Sequence, residues 1–234
     1  MRMRKKKNLI PRMERCSDVL IQEPSALRGH WRELFRPDCE LRVELGCGKG
    51  RFTAETAREN PDVLFIAVER VPDAMVIAME RVCAMDLKNV RFISCDAALL
   101  PDIFAEGEVD GIYINFCDPW PTKRHAKRRL THTNFLKLYR KVLKEHGQIF
   151  FKTDNAPLFE FSVEEFPQVG FSLSEVTRNL HENGPCGVMT DYETKFYELG
   201  TPINRCVATM EDWTEPEPAS ASEENAPTEE NDQI

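Results

Sequence analysis

The segment 115–129 carries the side chains of this 234-residue chain that are best suited to chemistry. Asp118 follows an apolar run, and Pro119-Trp120-Pro121 follows Asp118. Five cations come next, at Lys123, Arg124, Lys127, Arg128 and Arg129. A carboxylate that accepts hydrogen bonds, a ring that stacks and cations that bind phosphate suit a base carried on a polyanion. The segment therefore predicts chemistry on a nucleobase within a nucleic acid.

Three basic or aromatic features have a second interpretation. Trp120 either stacks on a base or packs as a hydrophobic anchor of its loop. The cations either contact RNA or form a solvated helix face, but nine Lys or Arg without an acid over residues 123–144 favour RNA contact. Arg2–Lys7 either form a second, flexible RNA clamp or only aid solubility.

A glycine-rich loop, Gly46–Gly50, lies upstream and directly follows Glu44 and Leu45. Glycine permits positive φ and lets a ligand approach the backbone. A dinucleotide-binding loop needs a small residue at position 51, where this chain has Arg51. Glu44 disfavours an anionic ligand, and Glu69, after a second apolar run, can accept hydrogen bonds from a ribose diol. S-adenosylmethionine, with its ribose, adenine and sulfonium, fits this set better than NAD or ATP.

The acids near the loop also have structural alternatives. Glu44 could instead satisfy backbone N–H groups, and Glu69 could pair with Arg70 or Arg81. Asp96 could cap a helix or accept from an adenine amino group. The sequence leaves these choices open.

The elements that position these residues follow an alternating pattern from Leu41 onward. Five strands are predicted, at Leu41–Leu45, Val63–Val68, Val90–Ser94, Val109–Ile114 and Gln148–Lys152. Helices are predicted at Gly50–Glu59, Pro72–Met85, Thr131 to about Leu143 and Asn155 to about Phe166, and a short one within Pro24–Phe35. Such alternation is typical of a parallel sheet covered by helices on both faces. Phe171–Thr177 and Tyr192–Leu199 are predicted to close it as an antiparallel β-pair.

Ligands of parallel α/β sheets bind beyond the carboxyl ends of the strands. The chemically distinctive residues fall at those ends. They are Gly46–Gly50, Glu69, Asp96, Asp118 and Asp154. We therefore expect them to share one edge of the sheet.

The net charge of −8 is dominated by the C-terminus. Residues 211–234 hold nine acids and no Lys or Arg, so residues 1–210 have a net charge of +1. We expect a basic extension at 1–40, a catalytic domain at 41–210 and an acidic, disordered tail at 211–234. The tail is expected to compete with RNA for the basic surface.

Cysteine usage argues against a metal site. The eight cysteines show no CxxC spacing, and no His cluster accompanies them. A reduced, cytoplasmic setting is the simplest expectation. No apolar run approaches the length of a membrane span, and the basic N-terminal residues lack the apolar stretch of a signal peptide. We expect no membrane contact.

The motifs together resemble a known family. Glu44–Gly50 resembles motif I of the class I S-adenosylmethionine-dependent methyltransferases, which have a Rossmann-like fold. Four further segments resemble the bacterial tRNA (guanine-N7-)-methyltransferases, which modify a variable-loop guanine (position 46). These segments are Asp118–Trp120, Arg124–Arg129, Lys152–Asp154 and Thr190–Glu193. The resemblance covers roughly residues 40–200.

The resemblance implies a role for each matching residue. The residues that would contact the methyl donor are Glu44, Gly46, Gly48, Gly50, Glu69, Asp96 and Asp118. Asp118 would also lie at the catalytic centre. Guanine-site contacts fall to Thr122, Lys123, Asp154, Thr190, Tyr192 and Glu193. RNA contacts fall to Arg124, His125, Lys127, Arg128 and Arg129. The chain departs from the family at Thr122, where the family has lysine. Either Lys123, one position later, supplies that contact, or this chain dispenses with it.

Rival functions make different predictions. A methyltransferase for another RNA base, or for a small metabolite, would keep the donor site but use a different acceptor. An RNA-binding module would retain tRNA without transferring a methyl group, and an NAD-dependent oxidoreductase would bind NAD. The sequence does not distinguish a monomer from a homodimer.

Overall fold

The computed structural model describes residues 5–215, which build one seven-stranded sheet. The strands are β1 (Glu40–Leu45), β2 (Val63–Val68), β3 (Val90–Ile93), β4 (Val109–Asn115), β5 (Leu143–Thr153), β6 (Phe171–Thr177) and β7 (Asn204–Met210). Their order is β3-β2-β1-β4-β5-β7-β6. Strands β1 to β5 pair in parallel, whereas β7 pairs antiparallel with both β5 and β6. This confirms the predicted, mostly parallel α/β sheet.

Seven α-helices accompany the sheet in the described part of the chain. They are α1 (Leu9–Glu14), α2 (Arg51–Glu59), α3 (Pro72–Ala84), α4 (Leu100–Ile103), α5 (Thr133–Val142), α6 (Ala156–Gln168) and α7 (Asp191–Glu198). Alternate residues of β2 enter two separate hydrophobic clusters, because successive strand side chains point to opposite faces. Phe65 packs with α2 and α3, and Ile66 packs in the cluster that contains α4, α5 and α6. Helices therefore cover both faces.

The register of the parallel strands brings their carboxyl ends to one edge. Leu45 at the end of β1 pairs with Val68 of β2 and Ile114 of β4. Val68 in turn pairs with Ile93, and Ile114 pairs with Phe151. After β1 the chain adds β2 and β3 on one side of β1, and it then adds β4 on the other side. The strand order therefore reverses between β1 and β4, which is the switch point of the sheet.

The C-terminal β-pair differs from the prediction. Tyr192–Leu199 is not a strand, because Asp191–Glu198 forms α7. Thr190 and Glu193 form a capping box at its start, which satisfies free N–H groups of the first turn. The partner of β6 is β7, which the sequence analysis missed.

The caps of the two preceding helices were predicted with mixed success. Asn155 caps α6 as predicted, since its side-chain oxygen accepts from the Leu158 amide at 2.8 Å. Thr131 does not cap α5. His132 takes that place by accepting from the Asn134 amide through Nδ1, and the Thr131 hydroxyl bonds the Ser162 hydroxyl at 2.7 Å.

The segments that flank the predicted catalytic domain also pack on the core. Trp31 is fully buried, and its indole N–H donates to the Ile103 carbonyl at 2.9 Å. At the other end, Trp213 packs against Gly170. Arg2–Arg4 of the predicted RNA clamp and residues 216–234 of the predicted acidic tail lie outside the described residues. None of the helices in the described range is long and apolar enough to cross a membrane.

Candidate functional site

The three glycines of the loop after β1 serve two different purposes. Gly46 and Gly48 have φ of 79° and 58°, and no atom lies within 4 Å of where a Cβ would stand. They give the loop a left-handed backbone and leave open space above it. Gly50 has φ of 71°, but its Cβ would lie 2.5 Å from Cβ of Ala78 in α3. Gly50 therefore permits close packing of loop and helix. It also lines the smaller of the two cavities at this edge, so its expected ligand contact stays a prediction.

Glu69 fixes the loop to the end of β2. Its Oε2 accepts from the Gly48 amide at 2.9 Å, and its Oε1 accepts from the Val71 amide at 2.8 Å. The alternative pairing with Arg70 or Arg81 is not formed. The half-buried carboxylate retains lone pairs for a ligand that enters above the loop.

Glu44 lies deeper, with 3% of its surface exposed. Its oxygens accept from the Thr53 hydroxyl and, at 3.1 Å, from the Asn115 amide nitrogen. Burial raises the pKa of this carboxyl. Its partners are side chains rather than backbone N–H groups, so Glu44 joins β1 to α2 and to the end of β4.

Asp96 is a helix cap. Its Oδ1 accepts from the Ala98 amide at 3.0 Å, and its Oδ2 pairs with Arg70 at 2.7 Å. The capping alternative is therefore confirmed. Arg70 is largely exposed, so its pairing with Asp96 is weak and open to competition.

The loop after β4 carries Asp118 between two left-handed, non-glycine residues. Phe116 has φ of 54° and Trp120 has φ of 41°. Each such residue costs about 1–3 kcal/mol and persists only where its surroundings hold it. The Phe116 amide donates to the Lys152 carbonyl at 2.9 Å, which anchors the start of the loop to β5. Burial raises the pKa of the neighbouring Cys117 thiol to about 12, so Cys117 is not a thiolate near neutral pH.

Two adjoining cavities open at this edge, with volumes of about 880 and 520 Å³. Both are lined by Gly46, Glu69 and the segment 115–118. Asp96 lines only the larger cavity, and Glu44, Asp154, Thr190 and Tyr192 line only the smaller one. The glycine loop and the four carboxylates predicted to meet at one edge, Glu69, Asp96, Asp118 and Asp154, therefore do so, with Asp118 facing both cavities.

The basic tract forms a 3₁₀ helix, Lys123–Arg128, beside the larger cavity. Thr122 precedes it, and the side chains of Lys123, Arg124, Lys127 and Arg128 are exposed. The Arg128 guanidinium lies 4.9 Å from the Trp120 ring, and the His125 ring meets the same indole edge-on at 5.8 Å. Trp120 packs between these two side chains and is half-buried, but it also lines the larger cavity, so its stacking on a base stays a prediction. Lys127 and Arg128 line the larger cavity.

Arg129 differs from the other cations of the tract. It is half-buried and donates to the carbonyls of Pro119 at 3.1 Å and Trp120 at 3.0 Å. Its guanidinium also lies 4.3 Å from the Phe161 ring. These contacts direct the guanidinium toward the loop, and the RNA contact expected of Arg129 stays a prediction.

The segment at the start of α7 combines an exposed and a buried member. Tyr192 is 56% exposed and its ring lies 5.9 Å from Phe116. Glu193 is fully buried, pairing with Lys152 at 2.7 Å and with His181 at 3.1 Å. Glu193 lies outside both cavity linings and supports the segment from beneath, which corrects its expected direct contact with substrate.

Within residues 5–215, no three His, Cys, Asp or Glu side chains come together as a metal site. All eight cysteines have free thiols, and two of them, Cys83 and Cys186, are exposed.

Sequence comparisons relate the chain to methyltransferases. A family model described as "Putative methyltransferase" matches residues 38–206. A protein from Geobacillus kaustophilus named tRNA (guanine-N(7)-)-methyltransferase is 45% identical over 209 residues, covering 89% of this chain and 96% of its own length. A protein of the same name from Bacillus subtilis is 42% identical over 206 residues, covering 88% and 97%.

Structural comparisons identify the fold. The structure of the 16S rRNA methyltransferase KamB matches with a TM-score of 0.62 at 14% identity, covering 79% of this chain and 94% of that chain. A precorrin-6y C5,15-methyltransferase from Geobacter metallireducens matches with a TM-score of 0.52 at 15% identity, covering 89% and 94%. The chain has the class I methyltransferase fold.

Proposed function

The chain belongs to the tRNA (guanine-N7-)-methyltransferase family, and we propose that it methylates N7 of guanine 46 in the tRNA variable loop, with S-adenosylmethionine as donor. One observation carries the assignment of the site. The open glycine loop with Glu69, and the acid pair Asp118 and Asp154, border adjoining cavities that share Asp118 and lie beside a basic surface.

The larger cavity fits the adenosine part of the donor. Its volume of about 880 Å³ lies in the range of small-molecule sites. Glu69 offers carboxylate lone pairs to a ribose diol. Val68, Leu130 and Phe135 supply an apolar lining for adenine, and Asp96 can accept from its amino group once Arg70 is displaced.

The glycine loop fits the methionine part. Gly46 and Gly48 leave space for close approach to the backbone, where a side chain would intrude. The carboxylates of Glu69 and Asp118 favour a positively charged ligand at this point. When bound, S-adenosylmethionine would supply the methyl group from its positively charged sulfonium. After the transfer the sulfur would be a neutral thioether, which is a good leaving group.

The smaller cavity fits guanine. Asp118 and Asp154 can accept from the N1–H and the 2-amino group of guanine. Adenine has neither donor, because its N1 is an acceptor and its amine is at C6. A buried acceptor left unpaired costs about 1–3 kcal/mol, so adenine is disfavoured. Tyr192 presents an exposed ring beside these acids, on which an unstacked base can lie.

The methyl transfer itself needs placement more than proton transfer. Guanine N7 has an in-plane lone pair, so no general base is required to expose it. Asp118 and Asp154 hold the base with N7 directed at the methyl carbon, and holding reactants in line can supply several kcal/mol of the barrier reduction. As positive charge passes to the purine ring, the same carboxylates stabilise it.

The exposed tract holds the RNA. Lys123, Arg124, Lys127 and Arg128 can neutralise phosphates beside the cavity mouth, with His125 beneath them. Lys123 takes the place of the usual family lysine, and Thr122 offers only a hydroxyl. A tRNA substrate and free thiols suit a cytoplasmic enzyme.

The proposal is tested with the full chain, S-adenosylmethionine and an unmodified tRNA transcript. We expect borohydride–aniline cleavage to map the new modification to guanine 46. A transcript with adenine at position 46 is the matched control and should remain unmethylated. Methylation at another base, or turnover of small acceptors without RNA, would contradict the proposal.

A further inference from the structure

We propose that Arg129 is a positioning residue of the Asp118 loop rather than an RNA contact; this inference rests on the proposed function. Its Nε lies 3.1 Å from the Pro119 carbonyl, and its terminal nitrogen lies 3.0 Å from the Trp120 carbonyl. One planar guanidinium therefore bridges the carbonyl groups of the two residues that directly follow Asp118.

The loop requires such support because its own backbone does not favour its shape. Phe116 and Trp120, on either side of Asp118, both have positive φ, and neither is glycine. The Asp118 side chain is exposed and forms no hydrogen bond within residues 5–215. The position of its carboxylate thus depends on how firmly the backbone of the loop is held.

Two anchors hold the loop, one at each end. The Phe116 amide, which donates to the Lys152 carbonyl of β5, fixes the start of the loop. Arg129 fixes its end, and the Phe161 ring, 4.3 Å from the guanidinium, ties that anchor to α6. Within residues 5–215, removal of Arg129 would leave the left-handed Trp120 with the contacts of its ring with His125 and Arg128.

Arginine is specifically suited to this place. Its fork presents several N–H donors in fixed geometry, whereas lysine has a single, rotating ammonium. Lysine still binds phosphate well as a point charge. Replacing Arg129 by lysine therefore separates the two roles, because it keeps the charge that RNA would recognise and removes the bridge between two carbonyls.

The test compares Arg129→Lys and Arg129→Ala with wild type, by kcat at saturating donor and tRNA and by the Kd for tRNA at several salt concentrations. We expect both substitutions to lower kcat by about 100-fold, the effect of displacing a reacting group by roughly 1 Å. The Kd of Arg129→Lys and its salt dependence should match wild type. Amide hydrogen exchange at Cys117, Asp118 and Trp120 should become faster.

Arg124 provides the matched control, since its side chain is exposed in the same tract. Arg124→Lys should keep the affinity for tRNA, and Arg124→Ala should weaken it and reduce the salt slope by about 1. The proposal would be overturned if position 129 behaved in the same way. In that case Arg129→Lys would keep the wild-type kcat, and Arg129→Ala would weaken tRNA binding and reduce the salt slope. If Arg129→Ala does not fold, Arg129→Lys decides alone. Wild-type enzyme that fails to methylate guanine would instead overturn the proposed function.

Discussion

The Gly48 amide donates to the Glu69 carboxylate at 2.9 Å, which couples the glycine loop to the end of the neighbouring strand. Replacing Glu69 by alanine removes the loop's partner as well as the proposed acceptor for the ribose diol. We expect the Kd for S-adenosylmethionine to rise by about 10- to 100-fold, the equivalent of 1.5–3 kcal/mol for hydrogen bonds to a charged group. Titration calorimetry measures this. Glu69→Gln, which keeps one acceptor oxygen, should lose less, and an unchanged Kd in both variants would contradict the assignment.

Asp118→Ala should abolish methyl transfer and leave tRNA affinity near normal. The reason is that Asp118 faces both cavities, whereas the phosphate-binding cations lie on the neighbouring 3₁₀ helix. Single-turnover methylation and tRNA binding should be measured on the same preparation. Equal losses of both would mean that Asp118 serves the structure of the loop.

Gly50→Ala should destabilise the protein more than Gly48→Ala. Both positions have positive φ, but only at Gly50 would the new Cβ collide with Ala78, at 2.5 Å. Overpacking of this kind costs about 1–3 kcal/mol, which lowers Tm by roughly 5 °C for a chain of this size. Thermal unfolding checks the comparison. The double variant Gly50→Ala/Ala78→Gly should recover part of the loss, and strictly additive effects would exclude the collision as the cause.

Arg128→Glu should weaken tRNA binding strongly and make it less dependent on salt. Arg128 is exposed beside the larger cavity, so reversing its charge removes a phosphate contact and repels the RNA. The salt dependence of Kd, measured by filter binding, is the readout. A methyltransferase for a small metabolite would be indifferent to this change.

Deleting residues 216–234 should leave Tm unchanged, whereas Trp213→Ala should lower it. Trp213 packs against Gly170, and Arg140 lies 5.4 Å from its ring while donating to the Glu211 carbonyl. A marked drop in Tm on truncation would show that the tail contributes to the folded core.

The expected competition of the acidic tail with RNA predicts tighter tRNA binding after truncation, most clearly at low salt. Equal affinity at all salt concentrations would exclude it.

Much of the sheet was predictable because its central strands are buried on both faces and therefore read as continuous apolar runs. The bounds of Val63–Val68 are the same in sequence and structure. Strand β7 was missed since its apolar run is only three residues long, Cys206–Ala208, between Arg205 and Thr209, and two of the three residues are small. Tyr192–Leu199 was misassigned because its aromatic residues favour strands, although the spacing of Thr190 and Glu193 is that of a capping box.

The site residues that directly follow a strand could be predicted from the sequence. The roles of residues that depend on tertiary contacts could not. Glu69 and Asp118 follow directly from the topology. Arg129 is indistinguishable in type from Arg128, and only the fold directs one toward backbone carbonyls and the other toward an indole ring. The burial of Glu193 likewise depends on Lys152 and His181, which are 41 and 12 residues away along the chain.

The place of β7 between β5 and β6 also constrains how the protein is made. β6 precedes β7 in the chain but pairs with no other strand among the described residues, so it cannot join the sheet until residues 204–210 have left the ribosome. Until then the outer edge of β5 offers free hydrogen-bonding groups to other chains. Nascent polypeptides halted before residue 204 should accordingly be prone to aggregation, even though they already contain every residue of both cavities.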